Sequence, residues 1–544
     1  WVSPPREADP VVEVVEQPVA DRPKTEQEPT FEPTNPVIPD LNHASFQPES
    51  FISVETDLYL AKISNRSGGT FVEYRLKNYS NSYDASGNYI EDIPVALIGE
   101  DELNCKPCLA YFDIDDASYQ YINQPFSAPF EDGYSVYIKP DDSIDFQYTL
   151  DLEDGRRIIK TLNLSGDAYT SEHHFQISGR EESYRQNLEL VWANGLLPTE
   201  KLEREDSQNS AAIIYQSGEL DDIKLTKEDP KPREKFDGNT DWVAIKNKYF
   251  IIAMLPENRG VYGALSARNI LFGERKLTPA YTSAIGYDGN LSRVDVKIYL
   301  GPQDYKLLHD KGESLEDAMN WGIKVIRPIS KYVILTTLTF LHRPFDLFTI
   351  NYGIVLILFA LLVRLVTGPL TKRSYRSTKK MSAIQPKVKE LQAKYKSDPQ
   401  RMNKEVMALY KKHGVNPVGG CLPMVVQMPL LFALFVVFRN TIEFRGAEFI
   451  FWIKDLSQPD VIFNLPFSIP IYGAGVAILP ILMGVTMFFQ QKSSMATMDK
   501  SQKPMMYMMT AFFFLLFNQF PSGLNLYYAV YNILNIIQQR SVKV

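Results

Sequence analysis

The residue best placed to do chemistry is Arg364, which stands inside an apolar run just ahead of Leu365-Val-Thr and Gly368-Pro369. A guanidinium near the centre of a bilayer costs about 2.5–3.5 kcal/mol on insertion scales, so its position needs a reason. One reason is snorkelling to the near end of the run. The other is a hydrated cavity, suggested by polar residues in the later apolar runs: Gln427, Thr486, Gln490, Gln491, Thr510, Asn518, Gln519, Asn525, Asn532 and Asn535. Each amide taken singly is accounted for by a helix–helix hydrogen bond. Several together in one small bundle point to water. An apolar set accompanies them. Met428, Phe432, Phe435 and Arg439 share a helix face, and Tyr527, Tyr528 and Tyr531 crowd the last run. Such faces are usually core packing, but they also suit transient contact with a passing apolar segment.

Catalytic and cofactor chemistry finds little footing. There is no P-loop and no HExxH, and the six histidines show no ligand spacing. The reading is a non-enzyme that works without nucleotide, metal or cofactor. Cys105-Lys-Pro-Cys108 is the one further candidate. A redox CxxC needs a helix N-terminus at its first cysteine, and no clear helix follows here. Two ligands do not complete a zinc site. A local disulfide or two free thiols are left, with redox work the lesser alternative.

The elements that must position these residues divide the chain in two. It has 544 residues, net charge -8 and 45% hydrophobic residues, and its mean hydropathy of -0.19 averages two unlike parts. Residues 1–48 form a Pro-rich acidic linker expected to be extended or disordered. Residues 49–305 read as strands. The run 57–64 alternates into a Gly68-Gly69 turn, and 146–152 with 158–164 form a hairpin around Asp154-Gly155. The runs 249–255 and 294–300 are further strands, and the whole implies an all-β sandwich. Residues 306–345 change to helical spacing, expected to lie in the membrane surface; a helix packed on the sandwich is the alternative.

From 346 onward, apolar runs near the length a bilayer needs recur at about 347–367, 421–439, 472–490, 504–520 and 523–539. The loop 368–420 holds thirteen lysines and arginines against three acids, so it is expected in the cytoplasm. The β-domain then lies outside, which calls for a signal or anchor helix ahead of Trp1. Within that loop, 374–414 reads as a two-helix hairpin. Met381, Ile384, Val388, Leu391 and Tyr395 make one stripe, Met402, Val406 and Leu409 another, with Ser397-Asp-Pro-Gln as the turn. Its basic side chains, Lys379, Lys380, Lys387, Lys389, Lys394 and Lys396, are either a solvated face that fixes topology or a docking surface. Anionic lipid heads, ribosomal RNA or a targeting factor would fit such a surface, with no specific nucleic-acid sequence read.

Asn416-Pro-Val-Gly-Gly-Cys-Leu-Pro-Met-Val-Val-Gln-Met-Pro resembles the signature at the start of the third helix of the YidC/Oxa/Alb insertase family. Ile481-Leu-Met-Gly-Val-Thr-Met-Phe-Phe, Phe520-Pro-Ser-Gly-Leu, Leu526-Tyr-Tyr, Ile536-Ile-Gln-Gln, Pro369-Leu-Thr-Lys, Gln385-Pro-Lys and Gly301-Pro302 are further matches. The resemblance is specific over about 320–540 and looser over 50–310. It implies a five-helix core with a preceding anchor helix, an extracytoplasmic all-β sandwich, and residence in a bacterial inner membrane. It also implies a hydrophilic groove, open to cytoplasm and lipid, that inserts nascent membrane proteins alone or beside the Sec translocon, with the ribosome and signal recognition particle as further partners. Arg364 matches a groove position, and Met428, Pro429 and Tyr528 match the face that touches the passing segment. Gln519 departs from the family, where many members have Trp. A small-solute transporter and an anchored scaffold are the alternatives.

Overall fold

The computed structural model describes residues 47–541 apart from 84–87, 102, 114–117, 153–156, 179–187, 202, 226–229, 273–275, 289–290, 415–421 and 496–502. Almost all of the expected linker, and Cys421, therefore lie outside the described residues.

Period-two alternation builds the first half. Strands Ser143–Asp151 and Arg157–Ser165 pair antiparallel with Phe146 opposite Leu162 and Leu150 opposite Ile158. Their inward positions are buried every second residue, as alternation requires. The expected hairpin is present, although its turn residues fall outside those described. Strands Phe250–Pro256 and Arg293–Pro302 pair along their length. Five strands form one sheet, including a parallel pair of Phe51–Glu55 with Tyr134–Tyr137, and thirteen form the other. Phe71, Tyr148, Trp192, Ile252 and Ile298 fill the shared core. Cys105 and Cys108 are joined by a disulfide, which resolves the two alternatives left open by the sequence.

One inward position breaks the pattern. Lys160 is fully buried, and its Nζ donates to the carbonyls of Ser67 and Gly69 at 3.2 and 3.1 Å and lies 4.8 Å from the Phe175 ring centroid. Both glycines of the Gly68-Gly69 turn hold positive φ, which lets the loop wrap around the ammonium. Burial pushes Lys160 down to about 7. Unfolded, it titrates near 10.4, so between these values the unfolded chain holds the extra proton and stability rises with pH. The melting temperature of the sandwich is expected to climb from pH 7 to 9.5, with Lys160 itself contributing up to roughly 3 kcal/mol of stability. Lys160→Met should flatten most of the slope, leaving a remainder from Lys246, which burial brings down to about 8. An unchanged slope in the variant would assign the effect elsewhere.

The helices are α1 (Glu203–Asn209), α2 (Tyr305–His309), α3 (Thr336–His342), α4 (Tyr352–Lys394), α5 (Pro399–Lys412), α6 (Leu422–Asn440), α7 (Ile478–Met495), α8 (Lys503–Phe517) and α9 (Ser522–Ser541). Four boundaries differ from the sequence reading in ways that matter. The first apolar helix begins at Tyr352, where Asn351 accepts from the Gly353 amide at 2.8 Å, not at 347. It does not exit at Gly368-Pro369 but continues through Pro369 and Pro386, so span and first hairpin helix are one element. Tyr472 lies in a turn and Gly473–Ala477 form a strand, so neither belongs to the third span. The fourth apolar helix ends at Phe517, short of 520. Helix α4 is long and apolar enough to cross a membrane; shorter apolar segments cover 427–440, 478–490 and 507–517.

Leu356, Phe359, Leu434, Phe438, Met483, Leu524 and Tyr527 pack the helices together. The outer faces expose Leu361, Leu365, Val366, Phe432, Leu482, Val485, Phe489 and Ile537. So much contiguous apolar surface suits lipid and not water. The helical turn Ile329–Leu335 leading into α3 touches both halves. Leu335 joins the cluster of Trp242 and Trp321 on the sandwich, and Ile334 with Leu338 joins the helical core. Its other side exposes Tyr332, Val333 and Phe340. Lys331 is buried and paired with Glu316 at 3.1 Å.

Candidate functional site

Arg364, Gly368, Thr371 and Tyr375 follow one another at helical spacing, so α4 turns a polar stripe to one side. Helix α9 answers with Tyr531, Asn535 and Gln538 at the same spacing. The two stripes meet. The Tyr375 hydroxyl donates to Asn535 at 3.5 Å, and the Thr371 hydroxyl donates to Gln538 at 3.1 Å. Gln538 also donates to the Gly368 carbonyl at 3.0 Å. From α6, Gln427 completes the site by accepting from the Tyr531 hydroxyl at 2.9 Å.

Arg364 sits at the inner end of this stripe. It is buried, its guanidinium carbon lies 5.9 Å from the Tyr531 ring centroid, and the Tyr375 hydroxyl is within electrostatic reach. Yet Nη1 and Nη2 are both enclosed with no hydrogen-bond partner among the described residues, as are Gln427 Nε2 and the hydroxyls of Tyr527 and Tyr528. Buried polar groups are normally paired, and an unpaired cation is the costliest exception. Together these groups can hold water or a polar segment of another chain inside an apolar bundle.

The structure divides the expected groove residues. Arg364 and Gln427 come together through Tyr531, and Asn532 is buried on the same helix as Tyr531. Asn518, Gln519 and Asn525 lie elsewhere, at the α8–α9 turn. Asn518 donates to Tyr472 and Gly475 carbonyls, Gln519 to that of Ile471, and Asn525 to those of Phe517 and Phe520. Amides at the end of an apolar run satisfy turn carbonyls as readily as they line a cavity, and composition does not separate the two. The side chain of Gln491 lies outside the described residues. Tyr375, Thr371 and Gln538 were missed, although stepping from Arg364 by four, three and four residues, through Gly368, reaches the first two.

The expected contact face also divides. Met428, Pro429 and Phe432 are exposed on α6, the first and last at 40% and 49%. Phe435 is half-buried, its ring 4.9 Å from Phe520. Tyr527 and Tyr528 are buried behind it, the Tyr528 ring 6.0 Å from Phe517. They back the face rather than form it.

On the far end of α4, Ile384 and Val388 are buried, and Lys380, Lys387, Lys389, Lys394 and Lys396 stay exposed while Lys379 is half-buried. Asp398 caps α5 by accepting from the Arg401 amide at 3.0 Å, with Pro399 in the first turn.

Two family models match the chain. The YidC periplasmic domain covers residues 51–335, and the 60Kd inner membrane protein covers 344–544. The membrane protein insertase YidC of Chloroherpeton thalassium is 36% identical over 90% of this chain and 82% of its own. That of Chlorobaculum parvum is 36% identical over 91% and 82%. A solved structure described as an active YidC insertase with its first transmembrane domain resolved covers 91% of this chain and 94% of its own, at 16% identity and a TM-score of 0.36, too slight a likeness to bear on the fold.

Proposed function

The chain belongs to the YidC family of membrane protein insertases, and from that membership we propose that it inserts nascent membrane proteins across the Arg364 stripe without nucleotide hydrolysis. The observation that carries this reading is the buried, unpartnered Arg364 guanidinium beside Tyr531 and Gln427.

An incoming apolar helix gains free energy by entering lipid, and the obstacle is the polar tail that must cross with it. The α4–α9 stripe places water-binding groups part-way into the bundle, which shortens the apolar path. Arg364 attracts acidic residues of the tail. The apolar segment leaves along Met428, Pro429 and Phe432, which already face outward. Five spans put the basic α4–α5 hairpin in the cytoplasm and the sandwich in the periplasm, with the turn before α3 at the outer interface. The exposed lysines then serve anionic lipid, the ribosome or the signal recognition particle. Use of the Sec translocon for larger substrates fits the same geometry.

The test is insertion of a small two-span nascent protein into liposomes holding only the full-length protein, read by protease protection. Protection well above empty liposomes is expected. None above that background, with the protein correctly oriented, would leave it a helper of another translocon or a scaffold. Small-ion leak through the same liposomes would instead favour a channel.

A further inference from the structure

Residues 461–477, between α6 and α7, carry no charged side chain. They form an antiparallel hairpin of Val461–Ile469 with Gly473–Ala477. Its base is held firmly. Asp460 accepts from the Ile478 and Leu479 amides at 3.2 and 2.8 Å and from the Trp452 indole at 2.9 Å. Asn518 holds the second strand and the turn before it, accepting from the Ala477 amide at 3.2 Å and donating to Tyr472 and Gly475 at 2.9 and 2.6 Å. Gln519 donates to Ile471 at 2.7 Å. With base and turn both fixed, the exposure of the apolar side chains is informative. Val461, Ile462, Phe463, Phe467 and Ile471 are all open, Phe463 at 51% and Phe467 at 62%.

Successive strand residues project to opposite faces, so a run of exposed neighbours from Val461 to Asn464 leaves both faces uncovered. A docked protein covers one face. A bilayer boundary covers both, while headgroups and water satisfy the open strand edges that hydrocarbon would leave unpaired. The helix that follows is apolar on its outside too, since α7 begins at Ile478 and exposes Ile481, Leu482 and Val485. Trp452 stands half-exposed at the base beside Asp460, as aromatic residues do at membrane surfaces.

We propose that the 461–477 hairpin is seated in the outer leaflet at the headgroup–acyl boundary, as a wedge pinned to the helical core by Asn518 and Asp460. This rests on the reading of the helices as membrane-embedded, and the experiment separates the two. Single cysteines replace Ile462, Phe463 or Phe467 in full-length protein carrying Cys421→Ser, and each is labelled with an environment-sensitive fluorophore. The vesicles are phosphatidylethanolamine and phosphatidylglycerol, with or without phosphatidylcholine bearing a nitroxide near the headgroup. All three labels are expected to lose most of their emission to the lipid nitroxide and little to aqueous iodide. Leu361→Cys on the outer face of α4 serves as the membrane reference, and Leu271→Cys on the sandwich as the aqueous one. Iodide quenching of the hairpin labels, with the Leu361 label still in lipid, overturns the proposal and leaves the embedding intact. Protection of one hairpin position from both quenchers overturns it in favour of a protein partner. Iodide quenching at Leu361 as well would sink the embedding itself.

Discussion

Arg364→Ala is expected to slow insertion of substrates with acidic translocated tails by roughly ten- to a hundred-fold. The size follows from about 1.5–3 kcal/mol for hydrogen bonds to a charged group. Substrates whose tails carry no acid should change little, because the remaining stripe of Thr371, Tyr375, Asn535 and Gln538 stays in place. Arg364→Lys should keep much of the rate, since charge matters more than the fork if water mediates the contact. The same substitution makes a second, opposite demand on stability. Nη1 and Nη2 have no partner among the described residues to be orphaned, so Arg364→Ala should leave the melting temperature unchanged or raise it. Loss of rate together with loss of stability would make Arg364 a packing residue. Full insertion of every acidic-tailed substrate tried would remove it from the mechanism.

Arg445→Ala is expected to undo the joint between sandwich and helices at a cost of about 3–5 kcal/mol, the range for stripping one partner from a buried ion pair. Arg445 follows the short helix Ile442–Phe444 beyond α6 and reaches into the β-domain. Its Nε donates to Glu200 at 2.8 Å, Nη1 to the Ser80 carbonyl at 2.8 Å, and Nη2 to Asn81 and Thr199 carbonyls at 3.0 and 3.3 Å. Both side chains of the pair are almost wholly enclosed, and Ile442 sits in the sandwich core itself. Alanine leaves the Glu200 carboxylate buried without its cation. Amide exchange should rise around 199–201 and 442–446 while the strand pairs of the sandwich interior stay protected. Adding Glu200→Gln should recover part of the loss, because the stranded charge is removed with its partner's absence. Lysine at 445 should rescue poorly, since an ammonium cannot meet four acceptors set around a planar fork. Unaltered exchange at 199–201 in Arg445→Ala would show that the joint rests on Ile442 and the Leu335 contacts instead. The joint bears on function because α6, which carries the Met428/Phe432 face, runs on directly into this anchor.

The fold class was open to sequence reasoning because it depends on periodicity and length. Alternation over 143–165 and 250–300 is a property of neighbours along the chain, and so is an apolar run. The motifs from Asn416 onward named the family on the same local terms. Arg364 stood out for a similar reason, a charge where its surroundings allow none. What the tertiary structure alone decided was partnership. Proline reads locally as a break, yet α4 passes through Pro369 with Gln538 of α9 donating beside it to Gly368. Asn518 and Asn532 are the same residue type in similar apolar runs, but one pins a hairpin and the other lies beside Tyr531. Lys160 is of a type that belongs on the surface and is buried because the Ser67 and Gly69 carbonyls come to it from a distant turn. Arg445 looks like any loop arginine until Glu200 arrives from 245 positions away. Periodicity states which face a side chain takes, and only the packed chain states what that face meets.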